Sequence, residues 1–124
     1  IVQSLGLERL RFVDIFHQAG LTTEGGRDSG SAYQAIHQSE PNKTIKSPAS
    51  LDHRYIREDV GYGLVPMAEI GSLFGVCTPV MDALITLAST ALDVDFRTEG
   101  LSLEKMGLAK IQPDELQRIL VDGF

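Results

Sequence analysis

The sequence predicts an all-α fold, a small helical bundle, on three observations. Apolar residues recur at three- and four-residue spacing in several stretches, Ser, Thr and Pro stand where helices should begin, and no stretch keeps the apolar–polar alternation of a half-buried strand. With 124 residues, 43% of them hydrophobic and 23% charged, the chain is sized for a single helical domain over 1–124 and can bury a core.

Each element has a local reason. Leu5, Leu7, Leu10, Val13, Phe16 and Ala19 mark an amphipathic helix that Gly20 terminates. Leu21 to Gly30 is too polar and too glycine-rich for a helix and reads as a loop, after which Ser29 or Ser31 caps a short helix through Ala35 and Ile36. Pro41 and Pro48 bracket an irregular connector, because each removes a backbone donor and biases the preceding residue toward extended backbone.

Ser50 is placed to cap a helix over Leu51 to Val60, which Gly61-Tyr62-Gly63 should interrupt before a second begins near Leu64. That second helix carries Met67, Ile70, Leu73 and Phe74 on its apolar face and ends at Gly75. Thr78-Pro79 is the strongest helix start in the chain, opening a helix to about Leu92 with Val80, Ala83, Leu84, Leu87 and Ala91 as its expected buried side. Ser102 can cap a short helix around Leu103 to Met106. Pro113-Asp114-Glu115 opens the last helix, whose apolar face is Leu116, Ile119 and Leu120.

Composition excludes several function classes. A net charge of −6 with scattered Lys and Arg argues against nucleic acid or an anionic membrane as partner. No apolar run approaches the roughly 18 to 20 residues of a membrane span, and the start lacks a secretory leader, so a soluble cytoplasmic protein is expected. The chain opens on Ile1 instead of Met, so it is expected to begin partway through a longer polypeptide. Cys77 can form neither an internal disulfide nor a zinc site alone and reads as packing, as do Met67, Met81 and Met106. His17, His37 and His53 are spread through different elements, so no metal is expected. No glycine fingerprint for a nucleotide and no serine elbow occurs.

Chemistry concentrates between Asp52 and Tyr62. Arg54 and Glu58 share a helical face, and Asp59 follows at the helix end, where the glycine-rich turn can expose it to a cleft. An arginine fork suits a substrate carboxylate, and a fixed aspartate can orient a histidine. Spacing alone favours a solvated Arg54–Glu58 pair, with His53 a surface or supporting residue.

Three blocks, Arg54-Tyr55-Ile56-Arg57-Glu58-Asp59-Val60, Gly63-Leu64-Val65-Pro66 and Gly75-Val76-Cys77-Thr78-Pro79, resemble in order and spacing the helical domain of the octopine/nopaline (opine) dehydrogenase family. Glu99 to Leu108 is similar to that family's ending, so the resemblance is best over 51–108. It implies the helical, C-terminal substrate domain of a two-domain dehydrogenase, with NAD or NADP held mainly by an N-terminal Rossmann domain outside this chain. The implied reaction is reductive condensation of an amino acid with a 2-oxo acid, both as small-molecule partners, by an enzyme of which this chain alone is inactive.

The resemblance also implies that Arg54 lies at the substrate and that Asp59 has the catalytic role of pairing with a histidine. His53 and Tyr55 are neighbours placed with the substrate-binding set. The family's histidine lies well upstream of the arginine block, and neither His17 nor His37 stands in a matching context. It is therefore expected ahead of Ile1, unless the opine reaction has been replaced. Two other readings stand beside this one: a non-catalytic oligomerisation or binding module using the Leu5–Gly20 helix, with a homo-oligomer as partner, and a diverged reductase with another substrate.

Overall fold

A computed structural model describes residues 1–123, and these are helical or irregular throughout, with no strand among the described residues. The chain divides into two compact units, one formed by Glu8–Ser47 and the other by Ile1–Leu7 with the chain from Pro48 onward.

The smaller unit packs three short helices: α1 (Phe12–Gln18), α2 (Glu24–Asp28) and α3 (Ala32–His37). The helix expected from Leu5 is confined to α1. The chain before it turns at Leu5, whose N–H bonds the Ile1 carbonyl at 3.0 Å, and passes through Gly6 at φ +70°, which ends the turn. Gly20 follows α1 at φ +71°, as a helix-terminating glycine should.

The expected loop at Leu21–Gly30 contains α2. Thr23 caps it by accepting the Gly26 N–H at 3.1 Å, and a Cβ on Gly26 would lie 3.2 Å from Ala35 Cα. The glycine that weakens this segment as a helix therefore lets it approach α3, and that packing outweighs the propensity. Ser31 is the cap of α3, accepting the Gln34 N–H at 3.4 Å. The Pro41 connector holds a single 3-10 turn, and buried Ser39 accepts from Asn42 Nδ2 at 2.8 Å.

The larger unit is built on a nearly continuous helical stretch: α4 (Arg54–Glu58), a π-helical segment (Asp59–Leu64) and α5 (Val65–Leu73). It is followed by α6 (Pro79–Leu92), α7 (Phe96–Glu99) and α8 (Pro113–Asp122). Val60, Val65, Ala68, Ile85 and Phe96 form the core, flanked by Ile56, Leu64, Met81, Ala88, Leu92 and Val94. Each large side chain removed from water here contributes roughly 1.5–3 kcal/mol.

The buried faces of α5 and α6 differ from those expected. α6 begins at Pro79 and ends at Leu92 as predicted, but Val80, Leu84 and Leu87 are 71%, 47% and 66% exposed, and Ala83 and Ala91 are exposed with them. The face turned inward is Met81, Ile85, Ala88 and Leu92, one residue around the helix. Asp82 is the only charged residue of α6, and the hydroxyls of Thr86 and Thr90 are absorbed by the carbonyls of Asp82 and Thr86 at 2.9 Å each. Two adjacent faces are thus apolar, and periodicity cannot choose between them.

In α5 the buried residues are Val65, Pro66, Ala68 and Gly71, whose small size permits close packing, while Met67 is exposed. Cys77 and Met106 are exposed as well, so neither is core filler.

The C-terminal part holds one helix unforeseen and lacks one expected. α7 is nucleated by Asp95, whose carboxylate accepts the N–H groups of Arg97 and Thr98 at 3.1 and 3.3 Å. Leu103–Met106 forms a turn instead of a helix, although Ser102 does accept the Lys105 N–H at 3.2 Å. α8 starts at Pro113 as predicted and buries Leu116, with Ile119 half-buried and Leu120 exposed. No helix among the described residues is long and apolar enough to cross a membrane.

Candidate functional site

The polar cluster begins where α4 begins. The helix starts at Arg54 instead of Leu51, and its N-cap is His53, not Ser50. Ser50 is diverted, its hydroxyl donating to the Asp52 carbonyl at 3.2 Å. His53, in extended backbone at φ −131°, accepts the Tyr55 N–H on its ring Nδ1 at 3.2 Å. The same ring meets Tyr55 edge-on at 4.5 Å, and the Arg54 guanidinium lies 5.4 Å from the Tyr55 ring centre. His53, Arg54 and Tyr55 are therefore one contiguous group.

The two arginines of α4 have different fates. Arg57 is bound to Asp52 at 2.7 Å, and this hydrogen bond and charge hold the Asp52 carboxyl below its ordinary range. Arg54 meets Glu58 only at 3.9 Å, with the two side chains 70% and 56% exposed. The solvated pair that spacing allowed is present, but at that length and exposure it contributes little and leaves the fork open to an anion.

Asp59 caps α4 and is the first residue of the π-helical segment. It is exposed and forms no ion pair among the described residues. Tyr55 and Asp59 are four apart on helical backbone and share a face, next to the ridge of Arg54 and Glu58.

The glycines expected to break the helix instead widen it. Val65 donates its N–H to Val60, a five-residue spacing, and Pro66 has no N–H to offer Gly61. The Gly61 carbonyl is consequently an orphan within the helix, and Leu101 N–H satisfies it from outside at 2.8 Å. Neither partner segment has room for a side chain here: a Cβ on Gly100 would lie 2.6 Å from the Gly61 carbonyl oxygen, and one on Gly61 would lie 3.4 Å from Phe96 Cδ1. The turn that begins with Asp59 is thus seated on the α7 end by bare backbone.

A recess of about 170 Å³ beside this turn is lined by Arg57, Gly61, Tyr62, Phe96, Glu99 and Gly100. A broader one of about 810 Å³ lies over Glu69, Arg97, Ser102, Leu103 and Lys105. Neither is lined by His53, Arg54, Tyr55 or Asp59. Asp59 is exposed but lines neither recess. The sequence reading missed the seat formed by Gly61, Pro66, Gly100 and Leu101. Its one sequence signal is Pro66, five residues after Gly61.

With the geometry described, comparison with known proteins places the chain. Residues 1–92 match the alpha-helical domain of NAD/NADP octopine/nopaline dehydrogenase. The chain is 42% identical over 84 residues to an opine dehydrogenase of Arthrobacter sp. (strain 1C), covering 68% of this chain and 23% of that protein. It is 30% identical over 95 residues to the protein ocs of Agrobacterium tumefaciens (strain Ach5), covering 77% and 26% of the two. Against a vitopine synthase of Allorhizobium ampelinum the identity is 31% over 121 residues, covering 90% and 33%. The matched part is therefore a quarter to a third of the length of these relatives. From the family match over residues 1–92 and the all-helical structure, the chain belongs to the NAD/NADP octopine/nopaline dehydrogenase family and carries its alpha-helical domain.

Proposed function

We propose that this chain is the substrate-side domain of an NAD(P)-dependent, cytoplasmic opine-type dehydrogenase that reductively condenses the amino group of an amino acid with a 2-oxo acid. The observation that carries the reading is the difference between the two arginines: Arg57 is committed to Asp52 at 2.7 Å, whereas Arg54 keeps an exposed fork, with an exposed Asp59 one turn further along the helix. A planar guanidinium is suited to bidentate capture of a substrate carboxylate.

In this reading Arg54 binds and orients the carboxylate. Asp59 accepts the N–H of a histidine from outside the chain, holding its ring nitrogen toward the condensing centre and stabilising the protonated form. Tyr55 lies between them and supplies an aromatic wall. His53 contributes its ring edge, because its Nδ1 is occupied in capping α4. The described residues hold no strand and no strand-to-helix glycine turn, so they do not fit a dinucleotide. That group would be held by an N-terminal Rossmann domain, which would also cover the exposed Arg54 and Asp59 and exclude water.

A second reading, a helical module for oligomerisation or binding, is favoured by the exposed stripe of Val80, Leu84 and Leu87 on α6. NAD(P)H consumption by the full-length polypeptide, with panels of amino acids and 2-oxo acids, separates the two. Opine chemistry requires both co-substrates and collapses in Asp59→Asn and Arg54→Ala at matched folding. Turnover that is indifferent to both substitutions overturns it, and turnover on a 2-oxo acid alone indicates a reductase with another substrate.

A further inference from the structure

Lys105 stands far from the arginine block in sequence. The residue is exposed, yet its ammonium donates to three consecutive carbonyls, those of Thr98 at 2.7 Å, Glu99 at 2.9 Å and Gly100 at 2.9 Å. These are the orphan acceptors at the end of α7, where a positive charge also meets the negative end of the helix dipole. An ammonium has three donors, and all three are used. Its own N–H is held by Ser102 at 3.2 Å, which fixes the lysine's backbone beside the carbonyls it clamps.

The clamp acts on the seat of the π-helical turn. Gly100, the last carbonyl held, is buried against Gly61, and the next residue, Leu101, supplies the hydrogen bond to the Gly61 carbonyl. Among the described residues the helix itself has no donor for that carbonyl, since Val65 N–H serves Val60 and Pro66 has none. If the α7 end drifts, a buried acceptor is left empty and the widened turn loses its support. Asp59 is the first residue of that turn, while Arg54 sits in α4 ahead of it.

We propose that Lys105 is a positioning residue: by clamping the α7 carbonyls it holds Gly100–Leu101 on Gly61 and so fixes the direction of Asp59. The inference rests on the role of Asp59 proposed above. It separates the two halves of the site, because displacement of the turn disturbs Asp59 and spares Arg54.

The test uses the full-length enzyme and steady-state kinetics over pH. Lys105→Met is expected to lower kcat about tenfold with KM for the carboxylate substrates within about twofold of wild type. The pH limb reporting the histidine shifts downward, since a misdirected Asp59 no longer stabilises the protonated ring. Lys105→Arg, which can still donate to the carbonyls, restores most of kcat and the limb. In an Asp59→Asn background, Lys105→Met adds little further loss, as two residues acting through one another are not additive.

Unchanged kcat and pH limb in Lys105→Met overturns the inference, as do full multiplication of the two losses or a Lys105→Arg variant as impaired as Lys105→Met. Should Lys105→Met fail to fold, Lys105→Gln, with two donors, is expected to give an intermediate kcat and the same direction of pH shift, and wild-type behaviour there overturns it. An Asp59→Asn enzyme that keeps full activity refutes the parent reading instead, and is read independently of any Lys105 variant.

Discussion

Leu101 donates its backbone N–H to the Gly61 carbonyl at 2.8 Å, joining the C-terminal side of α7 to the widened turn between α4 and α5. This bond compensates for a proline. Pro66 lies inside a continuous helical path without breaking it because the acceptor it strands is served from elsewhere.

Gly100 should therefore tolerate less than Gly61. In Gly100→Ala the new methyl would sit 2.5 Å from the Phe96 carbonyl and 2.6 Å from that of Gly61, both backbone atoms. A loss of about 2 kcal/mol or more is expected by urea unfolding. In Gly61→Ala the contact is 3.4 Å to a ring carbon of Phe96, and the loss should be smaller. Equal losses would show that the backbone seat is softer than described.

On α6, Ile85→Ala should cost about 2–5 kcal/mol, since Ile85 is 1% exposed in the core. Leu87→Ala should change stability by no more than about 0.5 kcal/mol in the isolated chain, because Leu87 is 66% exposed. The reverse ranking would restore the face that periodicity suggested.

Asp95 tests the cap of α7. Its carboxyl is held below the ordinary range, chiefly by the Thr98 hydroxyl at 2.6 Å and then by backbone N–H groups. A depressed folded pKa means the contribution is fully present above the unfolded value of about 3.9 and is lost as pH falls through the folded one. Asp95→Ala should thus lower the thermal midpoint at pH 7, and the gap to wild type should begin to narrow below about pH 4 and keep narrowing as pH falls. A gap that does not narrow by pH 2 would assign the effect to something other than the charged cap.

The proposed reading gives the two arginines different functions. Arg54→Lys loses the planar fork and should raise KM for the carboxylate substrates about tenfold in the full-length enzyme. Arg57→Lys keeps the charge beside Asp52 and should leave KM within about twofold. Equal effects would mean that both arginines face the substrate.

The legible features were those set by near neighbours. Thr78-Pro79 and Pro113 marked two helix starts, Ser29 or Ser31 a third that the structure assigns to Ser31, and Gly20 the end of a helix, because caps and proline act within one turn of backbone. Arg54 and Asp59 were singled out by the local block around them, and the structure brings Arg54, Tyr55 and His53 together while leaving Asp59 exposed one turn on. Ser50 does not cap because the chain stays non-helical through His53, leaving it three residues ahead of the cap position.

By itself the sequence determined an all-helical chain and where its strongest helices begin, since propensity, capping and proline chemistry are local. Tertiary structure alone decided which apolar face of α6 is buried and that Gly61-Tyr62-Gly63 widens the helix instead of ending it. Both depend on partners distant in the chain: the core that receives Ile85, and the Gly100–Leu101 backbone that fills the space a side chain would occupy and supplies the donor Pro66 lacks.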